Sequence, residues 1–278
     1  MRWLLVGLLL VGCGATPAPA PREPETTEPT DDDDAHIAIP HGPVTPGGNT
    51  RVRTFDEAKR ILSALYIDAK QSTDLYCGCS FLPKPGHGFT VDLEGCGYAV
   101  ARDAARAARI EWEHAVPAAK FGRTFVEWRE GDAKCVDNRG KPFKGRKCAR
   151  IASAEFARIE ADLHNLFPVV GEVNGLRGDL PMGAPDDELR HHGKETFRFG
   201  KCGSVVEPSF FVPRPEVRGD IARATKYMDK AYPDRHILDA AHREVMDRWD
   251  RDDPPDAWEK ARNALVAERQ GNPNTFIR

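Results

Sequence analysis

The chain has 278 residues, 40 basic and 43 acidic, for a formal charge of −3, with 40% hydrophobic and 30% charged side chains. That balance suits a globular chain, and no apolar run approaches the roughly 20 residues a membrane span needs, which excludes a polytopic membrane protein. Residues 1–53 hold four basic and seven acidic side chains and account for the whole net charge. The remainder is neutral overall, and such a domain can still bind a polyanion through a local basic patch.

The chain begins with an address. Arg2 supplies a positive start and Trp3 to Val11 a short apolar core, too short to span as a mature helix and best read as a signal peptide over 1–13. Leu10-Val11-Gly12-Cys13 resembles a bacterial lipobox, in which Cys13 is lipidated and holds the protein at a membrane surface. An ordinary secretory signal with an incidental cysteine is the competing reading. Residues 14–53 are rich in Pro, Thr, Glu and Asp, including Asp31 to Asp34, and predict a disordered tether.

The folded domain is expected over 54–278. Thr54-Phe55-Asp56-Glu57 is a capping box, and Ala58, Ile61, Leu62 and Leu65 continue at helical spacing to about Ala69. Val100 to Arg109 reads as a helix or a turn, Ile110 to Val116 as a strand, and Ala152 to Leu163 as a helix. Ile221–Ala231, Ile237–Trp249 and Ala257–Gln270 complete the helices, with Pro254-Pro255 separating the last two. The expected class is helix-rich α+β in a single domain.

Six cysteines fall in this domain: Cys77, Cys79, Cys96, Cys135, Cys148 and Cys202. An even number in an exported chain argues for three disulfides, with a zinc site as the alternative. Cys135 and Cys148 flank a short Gly- and Lys-rich loop and are expected to pair. The remaining connectivity is open.

Glu111-Trp112-Glu113-His114 sets acids beside a histidine at a strand end. A carboxylate there can hold a hard cation while the imidazole accepts a proton from water. Downstream, Asn165 and Asn174 sit among apolar residues, where buried amides need partners. Asn174 can offer an oxygen to a metal, and Asn165 can fix a loop through its backbone. Between these motifs, Lys134 to Arg150 carries seven basic residues against one acid, Asp137, and suits phosphate binding.

Taken in order, WEHAVPAAKFG, GRKC, DLHNLFPVVGEVNG, RGDIARATKYM and QGNPN resemble the bacterial endonuclease I family. The resemblance runs from Thr54 onward and includes the cysteine framework YCGC and GCGY. It implies an exported, sequence-nonspecific endonuclease with a ββα-metal motif, acting on the backbone of DNA and RNA and leaving 5′-phosphate ends. By the same resemblance, Glu113 and Asn174 are the metal ligands, His114 is the general base and Arg146 stabilises the transition state. Asn165 supports the histidine loop. Mg²⁺ is the implied cofactor, with Mn²⁺ or Ca²⁺ as alternatives, and the protein is expected to be a monomer with no obligate protein partner. A nucleic-acid-binding lipoprotein with little turnover is the alternative function, and a phosphodiesterase for another substrate is a third.

The sequence departs from the family at its end. Where many relatives have a cysteine after Trp-Glu and another at the terminus, this chain has Lys260 and stops at Arg278 without one. One disulfide is lost, which predicts a looser C-terminal segment. The other histidines read blandly. His164 packs or supports Asn165, His191-His192 lies in a loop, His87, His236 and His242 lack a partner at ligand spacing, and His36 and His41 fall in the tether. Trp112 and Trp128 are expected in the core. Arg218, Gly219 and Arg223 either contact phosphate or pin the fold.

Overall fold

A computed structural model describes residues 47–84, 88–183 and 195–278. The signal segment with Cys13, tether residues 14–46 with His36 and His41, and His87, His191 and His192 lie outside the described residues. No described helix is long and apolar enough to cross a membrane.

Residues just before Thr54 already pack against the domain. Asn49 and Val52 are buried. The Asn49 side chain donates to Val52 O (2.7 Å) and Arg158 O (2.9 Å), and its backbone N–H donates to Tyr232 Oη (2.8 Å). A short polar residue that satisfies buried backbone groups can seat an extended segment against the core.

Helix α1 (Phe55–Asp68) follows, with Thr54 Oγ1 accepting from the Glu57 N–H at 3.1 Å. Glu57 returns its carboxylate to Arg53 N (2.8 Å) rather than to Thr54, so the capping box closes one residue early. Strands β1 (Phe81–Pro83) and β2 (Phe89–Val91) pair antiparallel. Then come α2 (Ala104–Ala107), β3 (Ile110–His114), α3 (Ala118–Gly122), α4 (Val126–Arg129), α5 (Arg146–Ala152) and α6 (Ala154–Glu160). A 3₁₀ turn over Leu163–Asn165 leads into β4 (Leu166–Val170) and directly into α7 (Gly171–Arg177). Strands β5 (Phe197–Arg198), β6 (Val205–Val206) and β7 (Phe211–Val212) form a small sheet before α8 (Arg218–Ala231), α9 (Ala240–Asp252) and α10 (Ala257–Gln270). The fold is helix-rich α+β, and all described residues lie in one compact unit.

Two expected elements are reshaped. The helix read over Ala152–Leu163 is shorter at both ends: it is α6, Ala154–Glu160, capped by Ser153, which accepts from Phe156 N–H at 3.2 Å, and Leu163 already begins the 3₁₀ turn. The Val100–Arg109 stretch is helical only over α2, capped by Asp103. Ala257–Gln270 matches α10 residue for residue, bounded by the Asp256 cap and by Gly271 at φ 100°.

Strands β3 and β4 pair antiparallel from Ile110↔Val170 to His114↔Leu166. Ala115 N–H donates to Asn165 O and Gly171 N–H to Arg109 O, both at 2.9 Å. The odd residues of β3 therefore pair with β4, and Trp112↔Pro168 is a non-hydrogen-bonded pair. This explains how a proline sits inside a wholly buried strand, since its missing donor would face away from β3.

The cysteines form Cys77–Cys202, Cys79–Cys96 and Cys135–Cys148, which leaves no thiolate of the six for zinc. The C-terminal segment, expected to be looser, is fixed by hydrogen bonds. Asn263 Nδ2 donates to Asn274 O (3.0 Å), Asn274 N–H to Asn263 Oδ1 (2.8 Å), and Asn274 Nδ2 to Arg223 O (3.0 Å).

Candidate active site

Strand β3 sends alternate side chains to opposite faces. Trp112 and His114 meet α1, where Trp112 packs edge-on to Tyr66 and the His114 ring lies 4.9 Å from that of Phe55. Glu111 and Glu113 meet α7, where they bind Asn174 and Arg177. One strand thus carries two sets of polar groups.

On the α1 side, His114 Nε2 lies 2.8 Å from the Glu160 carbonyl oxygen. A carbonyl only accepts, so Nε2 carries the proton and Nδ1 keeps its lone pair. Burial, and after it the Arg146 cation, pushes the imidazole down to about 3, so it is neutral at ordinary pH. The Glu160 carboxylate is fully buried and accepts from Arg146 Nε (2.6 Å) and Arg150 Nε (2.8 Å). Burial alone would raise this carboxyl, but Arg146 and Arg150 outweigh it and hold it down at about 2. Arg146 Nη2 is buried with no hydrogen-bond partner among the described residues. Glu160 therefore orients His114 through its backbone and Arg146 through its side chain.

On the α7 side, Glu113 Oε1 accepts from Arg177 Nη1 (2.8 Å) and Tyr76 Oη (3.3 Å). Oε2 accepts from the His114 N–H (3.0 Å). That N–H faces away from β4, so the carboxylate curls round the free edge of β3. Burial raises the Glu113 carboxyl above its ordinary range despite Arg177. Arg177 is itself buried and also donates to His114 O and Ala115 O, each at 2.9 Å, which locks the end of β3. Asn174 is half-buried and donates Nδ2 to Glu111 Oε2 at 2.9 Å. No hydrogen bond to its Oδ1 occurs among the described residues.

Asn165 spans the turn that ends both strands. Its Oδ1 accepts from Val116 N–H (2.7 Å) and its Nδ2 donates to Val116 O (3.0 Å). It is fully buried, with both amide atoms engaged. The structure thus gathers His114 and Arg146 around Glu160, and sets Glu113 and Asn174 on the opposite face of β3. The two sets join through the Glu113–His114 peptide rather than by any side-chain hydrogen bond among the described residues.

The Cys135–Cys148 disulfide closes the basic loop just before α5. Its one acid, Asp137, accepts from Arg139 N–H and Lys141 N–H at 2.8 Å each. Lys134, Arg139, Lys141 and Lys144 remain exposed beside Arg146.

Sequence reasoning missed Glu160, Arg150, Glu111 and Arg177. Spacing held a signal for two of them: Arg177 lies one helical turn after Asn174, and Glu111 two residues before Glu113. The remaining candidates are structural. His164 is buried, donates from Nε2 to Asn272 O at 2.9 Å, and packs on Tyr227. Arg223 is buried against Glu259 and Asp250, Gly219 N–H binds Asp253 Oδ2 (2.8 Å), and Arg218 lies over Trp249. Trp112 and Trp128 pack against the core, as expected.

A protein-family model described as Endonuclease I matches residues 54–278. The chain is 39% identical over 235 residues to an extracellular deoxyribonuclease of Aeromonas hydrophila, covering 84% of this chain and 91% of that one. It is 40% identical over 236 residues to a periplasmic deoxyribonuclease of the same organism, covering 84% and 89%. It is 34% identical over 227 residues to Endonuclease-1 of Buchnera aphidicola, covering 81% of each.

Proposed function

Since the chain belongs to the endonuclease I family, and is thereby an exported endonuclease, we propose that it hydrolyses DNA and RNA phosphodiesters with His114 as general base and one divalent cation as cofactor. The observation that carries this reading is the fixed, neutral His114 beside the unsatisfied Arg146 Nη2.

The scissile phosphate lies at the free edge of β3, reached from one face by His114 and Arg146 and from the other by the curled Glu113 carboxylate. His114 Nδ1 takes a proton from the attacking water, and Arg146 Nη2 binds a phosphoryl oxygen as charge grows on it. The O3′ oxygen leaves, so the products carry 5′-phosphates. Arg177 and Asn165 hold the end of β3 and its turn, which keeps the imidazole in place.

The donor set fits a hard cation: a carboxylate from Glu113 and an amide oxygen from Asn174, with Mg²⁺ retaining waters elsewhere. When bound, the ion supplies positive charge to the phosphoryl and leaving oxygens. Sequence nonspecificity follows from contacts made to phosphates rather than bases, and the exposed cations of the Cys135–Cys148 loop extend those contacts. The Leu10–Cys13 motif supports tethering of the exported enzyme at a membrane surface.

Digestion of supercoiled plasmid and of RNA with Mg²⁺, with and without chelator, tests the reading. His114→Ala is expected to lower the rate by about 10²–10⁴-fold. Parent-like cleavage by that variant, or cleavage indifferent to chelation, would overturn the mechanism.

A further inference from the structure

The Glu111 carboxylate has no part in the reaction as described, yet it is the most heavily hydrogen-bonded group on the α7 face of β3. Its Oε1 accepts from Arg106 Nε (3.0 Å), Arg109 Nε (3.1 Å) and Arg109 Nη2 (2.9 Å). Its Oε2 accepts from Arg106 Nη2 (2.5 Å) and Asn174 Nδ2 (2.9 Å). Both Glu111 oxygens act as acceptors here, and both are occupied.

Helix α7 is shaped around this group. A Cβ at Gly171 would lie 2.8 Å from Glu111 Oε1 and 2.7 Å from Arg106 O. A Cβ at Gly175 would lie 2.1 Å from Arg106 Nη1. The two glycines are four residues apart, on one helical face, and their bareness lets the Arg106–Glu111 pair dock against the turn that bears Asn174.

An asparagine amide is nearly symmetric in shape, and a half-turn about its last bond exchanges a donor for an acceptor. An acceptor-only neighbour decides between the two. With Nδ2 drawn to Glu111, Oδ1 must face the other way. We infer that Glu111, held by Arg106 and Arg109, is a positioning residue that presents the Asn174 amide oxygen, rather than its NH₂, to a divalent cation. This rests on Asn174 as a ligand, the reading given above. The flipped amide would set two oxygens against each other at Glu111 and turn its NH₂ toward the ion. Outer partners that orient a ligand in this way typically govern affinity by 10–100-fold.

The test is Mn²⁺ binding to the full chain without nucleic acid, followed by loss of the free-ion electron paramagnetic resonance signal. Glu111→Gln keeps the shape but presents a group that both donates and accepts, so the orientation is no longer fixed. Binding is expected to weaken by about 10–100-fold. In an Asn174→Asp background there is no amide to orient, and Glu111→Gln also removes a like charge, so there the same change is expected to leave binding equal or tighter. Arg109→Gln, which removes a half-exposed partner, is a second variant: a loss of a few-fold is expected, again absent in the Asn174→Asp background. Metal-free thermal unfolding checks that each variant folds. Equal losses in both backgrounds, or none in either, would overturn the inference alone. Parent-like Mn²⁺ binding by Asn174→Ala would remove the ligand reading and the inference with it.

Discussion

At the scale of single residues, burial sets protonation. His164 is buried, and burial pushes its imidazole down to about 4, against roughly 6.5 in an unfolded chain. Between those values the unfolded chain binds a proton that the folded one does not, so stability falls as the pH falls through this window. Below about 4 both states are protonated and the loss is complete. His164→Gln removes this contribution. Urea unfolding at pH 7.5 and at pH 4 should show the parent losing about 3 kcal/mol more than the variant. The same burial keeps His114 neutral, so general-base activity is expected to persist below the ordinary histidine range. Glu113, His114 and Asn174 were legible as candidates because few side-chain types can bind a hard cation or accept a proton near neutral pH. Glu160 and Arg177 were not, because a buried ion pair is written in no local pattern: its partners are 14 and 64 residues away.

Among the elements, α7 shows how far periodicity reaches. Its Gly-Glu-Val-Asn-Gly sequence has little apolar spacing and two residues that disfavour helix, each by about 1 kcal/mol relative to Ala. What holds it is tertiary. Glu172 accepts from Tyr98 Oη (2.7 Å) and from the backbone N–H groups of Ala101, Arg102 and Asp103, while Glu111 binds Asn174 from β3. Gly171→Ala would be stabilising in an ordinary helix. Here the added methyl meets a backbone carbonyl that cannot swing aside. The expected outcome in denaturant unfolding is a loss of about 1–3 kcal/mol. Helix α10, by contrast, was readable to the residue, because its cap, its apolar face and its terminal glycine all lie within its own sequence. The start of α6 was placed two residues early because its apolar residues Phe156 and Ile159 fix the helix's face but not its first turn, which the Ser153 cap sets.

Over the whole molecule, the three disulfides close loops of very different size. Cys77–Cys202 spans 125 residues, Cys79–Cys96 spans 17 and Cys135–Cys148 spans 13. On the chain-entropy account the longest loop contributes most. Cys77→Ala/Cys202→Ala is expected to cost about 5 kcal/mol and Cys135→Ala/Cys148→Ala about 3 kcal/mol. Urea unfolding of the two double variants checks the order. Composition alone pointed to an even cysteine framework, but only the folded chain says which long-range pair joins its first third to its last.

The residues around Asn165 depend on the far end of the chain. Gln270 Oε1 accepts from Leu163 N–H (2.6 Å), Gln270 Nε2 donates to Asp162 Oδ1 (2.9 Å), and Asn272 O meets His164 Nε2. The turn that steadies the imidazole is therefore unfinished until the last helix has been delivered and folded back. An exported chain crosses its membrane from the amino end, so in an endonuclease built this way the segment that completes this turn is among the last to arrive.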